Sequence, residues 1–294
     1  MTAAPLDLSV VIPAYNEAEA IGPVLGRLVE HLGGLGLTWE IVVVSDGSTD
    51  GTAQAVRGAD PRIRLVEHPY NLGNGAAVKS GIRHATGRVV ILMDADGQHD
   101  PGLIARFVAE CGRYDMVVGA RGRGSQAGWH RGLANGLYNR LASYVTGRRV
   151  EDLTSGFRAV RRDVARRFLS LLPNGFSHPT TLTLCLMRAG FSVCYLPIHT
   201  PRRQGRSKIR LATDGPRFLL VIVKICMLFS PLRIFLPVSL YLFLMGVGYY
   251  GYTFVTEHRF TNMSMLLFTT SVMVFMMGLV AEQVAQMRFE RTEE

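Results

Sequence analysis

Val89-Val90-Ile91-Leu92-Met93-Asp94-Ala95-Asp96-Gly97-Gln98-His99 is five apolar residues followed at once by two carboxylates one residue apart. The apolar run is short and does not alternate with polar residues, so it reads as a strand covered on both faces, as in a parallel sheet. Two like charges held at the end of such a strand are costly without a cation between them. Hard divalent cations such as Mg²⁺ take oxygen ligands and share them with substrate phosphates. Asp94 and Asp96 are therefore candidate metal ligands, with the carbonyl oxygen of Gln98 as a third. The bland alternative for the same residues is an acidic turn.

Working outward, Leu8 to Ile12, Glu40 to Val44, Arg62 to Val66 and Met116 to Val118 have the same short, β-branched character. Glu17 to His31, Gly75 to Ala85 and Pro101 to Cys111 have helical spacing, with Pro101 suited to a first turn. Strand and helix alternate, which predicts an α/β fold with a doubly wound, mostly parallel sheet. Such sheets bind ligands at the carboxyl ends of their strands. The first strand runs into Pro13-Ala14-Tyr15-Asn16-Glu17, and the second into Asp46-Gly47-Ser48-Thr49-Asp50-Gly51. Each is readable as a plain turn and helix cap, since Ser48 to Asp50 is good N-cap chemistry. A carboxylate there can equally accept hydrogen bonds from a nucleobase or ribose.

Beyond about Asp214 the charge nearly vanishes. Ile234 to Thr256 is a run of 23 residues without a charge, and Phe260 to Ala281 is another of 22. Both exceed the roughly 20 apolar residues that span a bilayer as a helix. Only Glu257, His258 and Arg259 separate them, so the pair is expected to be a tight hairpin; two buried core helices are the alternative. Arg202, Arg203, Arg206, Lys208, Arg210 and Arg217 precede the hairpin and Arg288 and Arg291 follow it, against one Arg in its turn. Basic residues concentrate on the cytoplasmic side, which predicts an integral protein of the plasma (inner) membrane with its large domain and C-terminus in the cytoplasm. Met1 to Asp7 shows no basic stretch leading into an apolar one, so no signal peptide is expected. Phe218 to Phe229, apolar but broken by Lys224, suits a helix lying in the interface. The expected division is 1–210 catalytic, 211–231 interfacial, 232–286 spanning (about 233–256 and 260–282) and 287–294 tail.

The formal net charge is +9. With six basic residues gathered just before the spans, that balance favours lipid headgroups or a lipid phosphate. No nucleic-acid partner is expected, because no recognised binding module is present. The four cysteines, Cys111, Cys185, Cys194 and Cys226, show no C-x-x-C pairing and suit a reducing compartment.

The loops at Pro13, Asp46 and Asp94, taken with Asn71-Leu72-Gly73-Asn74-Gly75-Ala76-Ala77, closely resemble the family 2 glycosyltransferases with the GT-A fold. The last segment is similar to that family's N-x-G-x-G-x-A loop, with Asn74 where Lys is frequent, and Ser45 stands where a further Asp is common. Asp152-Leu153-Thr154-Ser155-Gly156-Phe157-Arg158 resembles the D-x-T-S-G-F-R segment of dolichyl-phosphate mannose synthases and related polyprenyl-phosphate glycosyltransferases. Arg202-Arg203-Gln204-Gly205-Arg206-Ser207-Lys208 resembles their R-x-x-G-x-S-K loop. The resemblance runs from about Leu8 to Lys208, and the same group carries two-span C-terminal hairpins.

The resemblance implies an inverting, metal-dependent transfer of a sugar from a nucleotide-sugar (GDP-mannose or a UDP-hexose) to polyprenyl phosphate. It implies that Pro13, Tyr15, Glu17 and Asp46 hold the nucleotide, with Gly73, Gly75 and Ala95 also at the donor. Asp94, Asp96 and Gln98 would hold Mg²⁺ or Mn²⁺. Arg121, Arg131, Arg202 and Lys208 would grip phosphates, Arg202 to Lys208 closing over the donor as a lid. Asp152 is a candidate base or acceptor-orienting group, or equally a turn cap. The rival enzyme is a membrane polysaccharide synthase, but its Q-x-x-R-W motif is absent; Trp39 and Trp129 are the only tryptophans. A non-catalytic membrane scaffold is the other rival, and the Asp94/Asp96 pair with both basic motifs speaks against it. Two spans form no pore alone, so a part in flipping the product would require a homo-oligomer.

Overall fold

Four parallel strands build one half of the sheet: β1 (Leu8–Ala14), β2 (Trp39–Ser45), β3 (Ile63–Glu67) and β4 (Val89–Leu92). Leu8, Val10, Val11 and Ile12 are wholly buried, as are Ile41 to Val44. Residues of both parities are covered, so these strands lie between two helical layers and show no alternation in sequence. The computed structural model describes residues 6–121, 129–175, 177–199, 220, 223–224, 226–227 and 230–293, with backbone only for 129–135, 137 and 288–293. The chain divides into two compact units, Met1–Val221 and Ile222–Glu294.

In the first unit α1 (Ala18–Gly33), α2 (Thr52–Arg57) and α3 (Asn74–His84) are the crossovers between successive parallel strands. Ile21, Val24, Leu25, Leu28 and Leu32 recur at helical spacing and form the buried stripe of α1. Each such side chain contributes about 1.5–3 kcal/mol by leaving water. A 3₁₀ turn at Pro101–Leu103 leads into α4 (Ile104–Glu110), with Asp100 Oδ1 accepting from the Gly102 amide at 2.9 Å. Pro101 does open a helical segment, but one tighter than the expected single helix. The chain continues through β5 (Met116–Arg121), α5 (Trp129–Thr146), β6 (Arg158–Arg161), α6 (Arg162–Arg167), α7 (His178–Arg188) and β7 (Val193–Ile198).

The sheet order is β3-β2-β1-β4-β6-β5-β7. β6 runs antiparallel to both its neighbours, with Arg158 opposite Leu92 of β4 and Val118 of β5. That reversal decides where the chemistry sits. The loop before β6 arrives at the sheet edge where β4 and β5 end, and so adds residues 152–157 to the strand-end loops.

The second unit is a helical hairpin, Leu232–Glu257 and Asn262–Glu293. Leu232–Glu257 and Asn262–Met287, 26 residues each, contain 18-residue windows with mean hydropathies of 1.6 and 2.0, and those windows are only 11% and 17% buried. A soluble protein's core helix would be mostly covered, so the core-helix alternative does not describe these two. At 1.5 Å per residue each is about 39 Å long, enough for a hydrocarbon layer of about 30 Å. Small residues and polar contacts join the helices. Gly278 lies against Phe235, Gly246 against Phe268, and the Ser271 hydroxyl donates to the Ser239 carbonyl at 2.8 Å. Glu282 Oε2 accepts from the Leu232 amide at 3.1 Å, satisfying a first-turn donor that Pro231 does not cap. A side chain at 278 would place its Cβ 2.6 Å from the Phe235 Cβ, whereas nothing lies within 4 Å at Gly248. Gly278→Val is expected to destabilise the hairpin by about 1–3 kcal/mol through overpacking. Gly248→Val should leave it unchanged, and thermal unfolding of both variants in detergent checks the contrast.

Candidate active site

The ends of β1 and β2 lie side by side, Ala14 opposite Ser45, and their loops are stitched together. The Asn16 amide donates to Ser48 Oγ at 3.2 Å, and Asn16 Oδ1 accepts from the Thr49 amide at 2.9 Å. Thr52 Oγ1 accepts from the Glu17 amide (2.9 Å) and Asp50 Oδ2 from the Ala18 amide (3.1 Å). Asp50 Oδ1 also accepts from the Thr52 amide at 3.0 Å. The cap chemistry of Ser48 to Asp50 is real, but much of it serves the start of α1 in the neighbouring loop. Ser45, where the family often has Asp, donates to Ser48 Oγ at 3.0 Å. Pro13, Tyr15 and Glu17 therefore sit on a rigid double loop, with Tyr15 38% exposed.

Asp46 is only 2% exposed and its carboxylate turns inward. Oδ1 accepts from the Leu72 amide (2.9 Å) and from His68 Nδ1 (2.7 Å), and Oδ2 accepts from the Gly73 amide (2.8 Å). His68 Nε2 is 2.9 Å from Ser80 Oγ on α3. Asp46 thus fixes the Asn71–Gly75 loop. The glycines of that loop admit the protein's own backbone. A Cβ on Gly75 would lie 2.7 Å from the Gly175 carbonyl oxygen, and Gly73 faces Asn174 as closely. The Asn174 carbonyl caps the start of α3, accepting from the Ala76 amide at 3.1 Å. Lys79 reaches across to the Leu172 carbonyl at 3.1 Å and to the Asn174 side chain. Gly75→Ala is expected to lower the unfolding temperature of the first unit, since the blocking atoms are backbone and have little room to move. Scanning calorimetry checks this, and an unchanged transition would show that residues 173–175 yield.

Asp94 and Asp96 follow β4. Asp96 Oδ1 accepts from the Gln98 amide at 3.1 Å, which closes the turn. Ala95 is 4% exposed and its methyl group belongs to the core, so a donor contact there would be made by backbone. His99 Nδ1 accepts from the Asp94 amide at 3.2 Å, and the ring stacks on Phe157 with centroids 4.8 Å apart. Burial pushes this imidazole below its usual pKa despite the nearby charges of Asp94 and Asp96, so it is a neutral prop for the turn. The Asp94 carboxylate rests against Gly156, where a Cβ would stand 2.7 Å from Oδ2. Among the described residues no third His, Cys, Asp or Glu joins the two carboxylates as a metal cluster. Two carboxylates and an amide oxygen that leave positions for phosphate oxygens are a donor set that suits Mg²⁺ or Mn²⁺.

Arg121 ends β5 and Asp152 opens the turn before β6. Arg121 Nε donates to Asp152 Oδ2 at 2.8 Å and a terminal nitrogen donates to Oδ1 at 3.0 Å, a two-pronged pair. The Arg121 and Thr154 amides add bonds of 3.2 and 3.1 Å to the same carboxylate. Burial pushes the Asp152 carboxyl up, but the Arg121 hydrogen bonds and charge outweigh it, and the pKa is lowered. The carboxylate caps its turn and holds Arg121. The Arg121 side chain remains 31% exposed.

Asp94, Asp96, Arg121 and Asp152 thus gather around the ends of β4, β5 and β6, and Pro13, Tyr15, Glu17 and Asp46 around the ends of β1 and β2. The Arg131 side chain, and all of Arg202 and Lys208, lie outside the described residues. Sequence reasoning passed over His68, which no motif marks. It also passed over the supporting parts played by His99, Gly156 and Arg158, although all three stand inside quoted motifs.

Comparison with known proteins agrees with this fold. Solved structures of glucosyl-3-phosphoglycerate synthase from Mycobacterium tuberculosis share the fold. Its complex with Mn²⁺, UDP and glucosyl-3-phosphoglycerate matches with a TM-score of 0.61 at 19% identity, over 75% of this chain and 80% of that one. The complex with Mn²⁺ and UDP-glucose matches with 0.59 at 20%, over 75% and 79%. The GtrB C-terminal hairpin model matches residues 230–287, the apolar pair of helices. The model for glycosyl transferase family 2 matches residues 9–169, more than half of the chain, and the chain belongs to that family.

Proposed function

We propose that this glycosyltransferase moves a hexose from a nucleoside-diphosphate sugar to a polyprenyl phosphate at the cytoplasmic face of the inner membrane. The observation that carries the reading is one chain that joins the Asp94/Asp96 turn, with Arg121 beside it, to a hairpin apolar enough to cross a bilayer. The catalytic part would be 1–210, followed by an interfacial segment 211–231, spans within 232–286 and a tail 287–294. Arg202 to Arg217 before the spans and Arg288 and Arg291 after them support the cytoplasmic orientation.

A phosphate monoester has a second pKa of about 6, so the acceptor is already an anionic nucleophile at neutral pH and needs no strong base. The protein's task is to bring two anions together and to stabilise the departing diphosphate. Asp94, Asp96 and Gln98 would hold Mg²⁺ or Mn²⁺, which supplies Lewis acidity and a template for the diphosphate. The Mn²⁺ and UDP-sugar complexes of the mycobacterial enzyme support both partners. Arg121, oriented by Asp152, presents its exposed edge to a phosphate, and Arg131, Arg202 and Lys208 would add further contacts. Pro13, Tyr15 and Glu17 would line the nucleoside, while Asp46 holds its loop and that of Gly73 and Gly75 in register. Attack opposite the leaving group inverts the anomeric centre.

The test uses the purified chain in lipid with a polyprenyl phosphate and a panel of labelled nucleotide sugars, with and without Mg²⁺ or Mn²⁺. Metal-dependent label in the organic phase is expected. Label only in a soluble or polymeric product would move the assignment to another acceptor.

A further inference from the structure

Arg158, the first residue of β6, is the largest wholly buried side chain among the described residues, at 0% exposure. A buried guanidinium is normally matched by a carboxylate, because the desolvation cost is several kcal/mol. Here its hydrogen-bond partners among the described residues are all neutral. Nε donates to the Ser155 carbonyl at 3.1 Å, and one terminal nitrogen donates to the same oxygen. The other donates to the Pro179 carbonyl at 2.8 Å and to Thr183 Oγ1 at 3.0 Å. The fork therefore clamps the peptide after Ser155 to the first turns of α7.

The clamped peptide belongs to Gly156, the residue where an added Cβ would stand 2.7 Å from Asp94 Oδ2. The turn also carries Asp152, which aims Arg121. The guanidinium feels both Asp94 and Asp152 electrostatically. One buried cation thus fixes the wall behind Asp94 and offsets part of the negative charge gathered there. An apolar side chain of similar volume would fill the space at lower desolvation cost, yet could do neither.

We propose that Arg158 is a positioning residue for the cation and diphosphate end of the site, acting through the Ser155–Gly156 peptide on Asp94. The proposal rests on the reading of Asp94 and Asp96 as cation ligands. Groups one step behind a metal ligand typically change metal affinity by about 10–100-fold when altered, and Arg158, one contact further back, is expected at the lower end of that range.

The experiment measures Mn²⁺ affinity by electron paramagnetic resonance, on the full chain in detergent with UDP or GDP present, for wild type and three variants. Arg158→Lys keeps the charge and loses the fork, so Mn²⁺ should bind about tenfold more weakly or worse, while the KM for polyprenyl phosphate holds. Gly156→Ala pushes on Asp94 directly and should reproduce the weakening with Arg158 intact. Thr183→Val removes one of the clamp's bonds and should give a smaller loss in the same direction, which keeps the test decisive if Arg158→Lys does not fold. Folded Arg158→Lys, or failing that Thr183→Val, with wild-type Mn²⁺ affinity overturns the proposal. Wild-type protein that binds no Mn²⁺ overturns the cation reading itself, a distinct result.

Discussion

Asp96→Ala is expected to abolish measurable sugar transfer while leaving the fold intact. Losing a ligand to the cation removes several kcal/mol of stabilisation from the departing diphosphate, and about 4 kcal/mol is about a thousandfold in rate. Asp96 accepts from the Gln98 amide in its own turn, and it stands close to Asp94 in a group of like charge. Without cation the two carboxylates repel, so the variant should melt at or above the wild-type temperature, as is usual where a site is tuned for binding rather than stability. Rate with saturating Mg²⁺ or Mn²⁺, set beside a thermal unfolding curve without metal, tests both halves. A variant that keeps a tenth of the wild-type rate would remove Asp96 from the reaction, and one that unfolds early would make it a structural residue.

The sheet's first half was legible because buried parallel strands advertise themselves. Leu8 to Ile12 and Glu40 to Val44 have no polar alternation, and their observed ends differ by one or two residues. The second half was not. β6 is four residues, Arg-Ala-Val-Arg, with a charge at each end, and nothing in that string says that it runs antiparallel between β4 and β5. Its direction brings Asp152 and Gly156 to Asp94, so the assembly of the site depended on a tertiary choice. The residue types were readable, but how each is used often was not. Asp46 reads as a nucleotide-side carboxylate, and nothing in the sequence shows that it also binds His68 and the Leu72 and Gly73 amides. Gly73 and Gly75 are placed at the donor by resemblance, and nothing in the sequence shows that they also admit residues 173–175, a hundred positions away. Such long-range packing leaves no periodicity to find.

The second large effect is expected at the Arg121–Asp152 pair, and it separates positioning from proton transfer. Asp152→Asn keeps the turn's shape but weakens the charged, two-pronged hold on Arg121, so transfer should fall about a hundredfold. Arg121→Ala should be worse for the fold, because it leaves Asp152, 5% exposed, as a buried charge without its partner, at about 3–5 kcal/mol. The pH dependence then decides the role. The folded pKa of Asp152 is depressed, so its contribution to stability is present above the unfolded carboxyl value of about 3.9 and is lost as pH falls through the lower folded value. Asp152 therefore does not titrate between about pH 5 and 8. The acid limb of the rate should instead follow the acceptor phosphate, near pH 6 by its second pKa of about that value. In Asp152→Asn that limb should stay in place under a lower plateau. If instead the limb vanishes or moves, Asp152 accepts a proton during transfer, and the saturated, depressed carboxylate seen here must open when the acceptor binds.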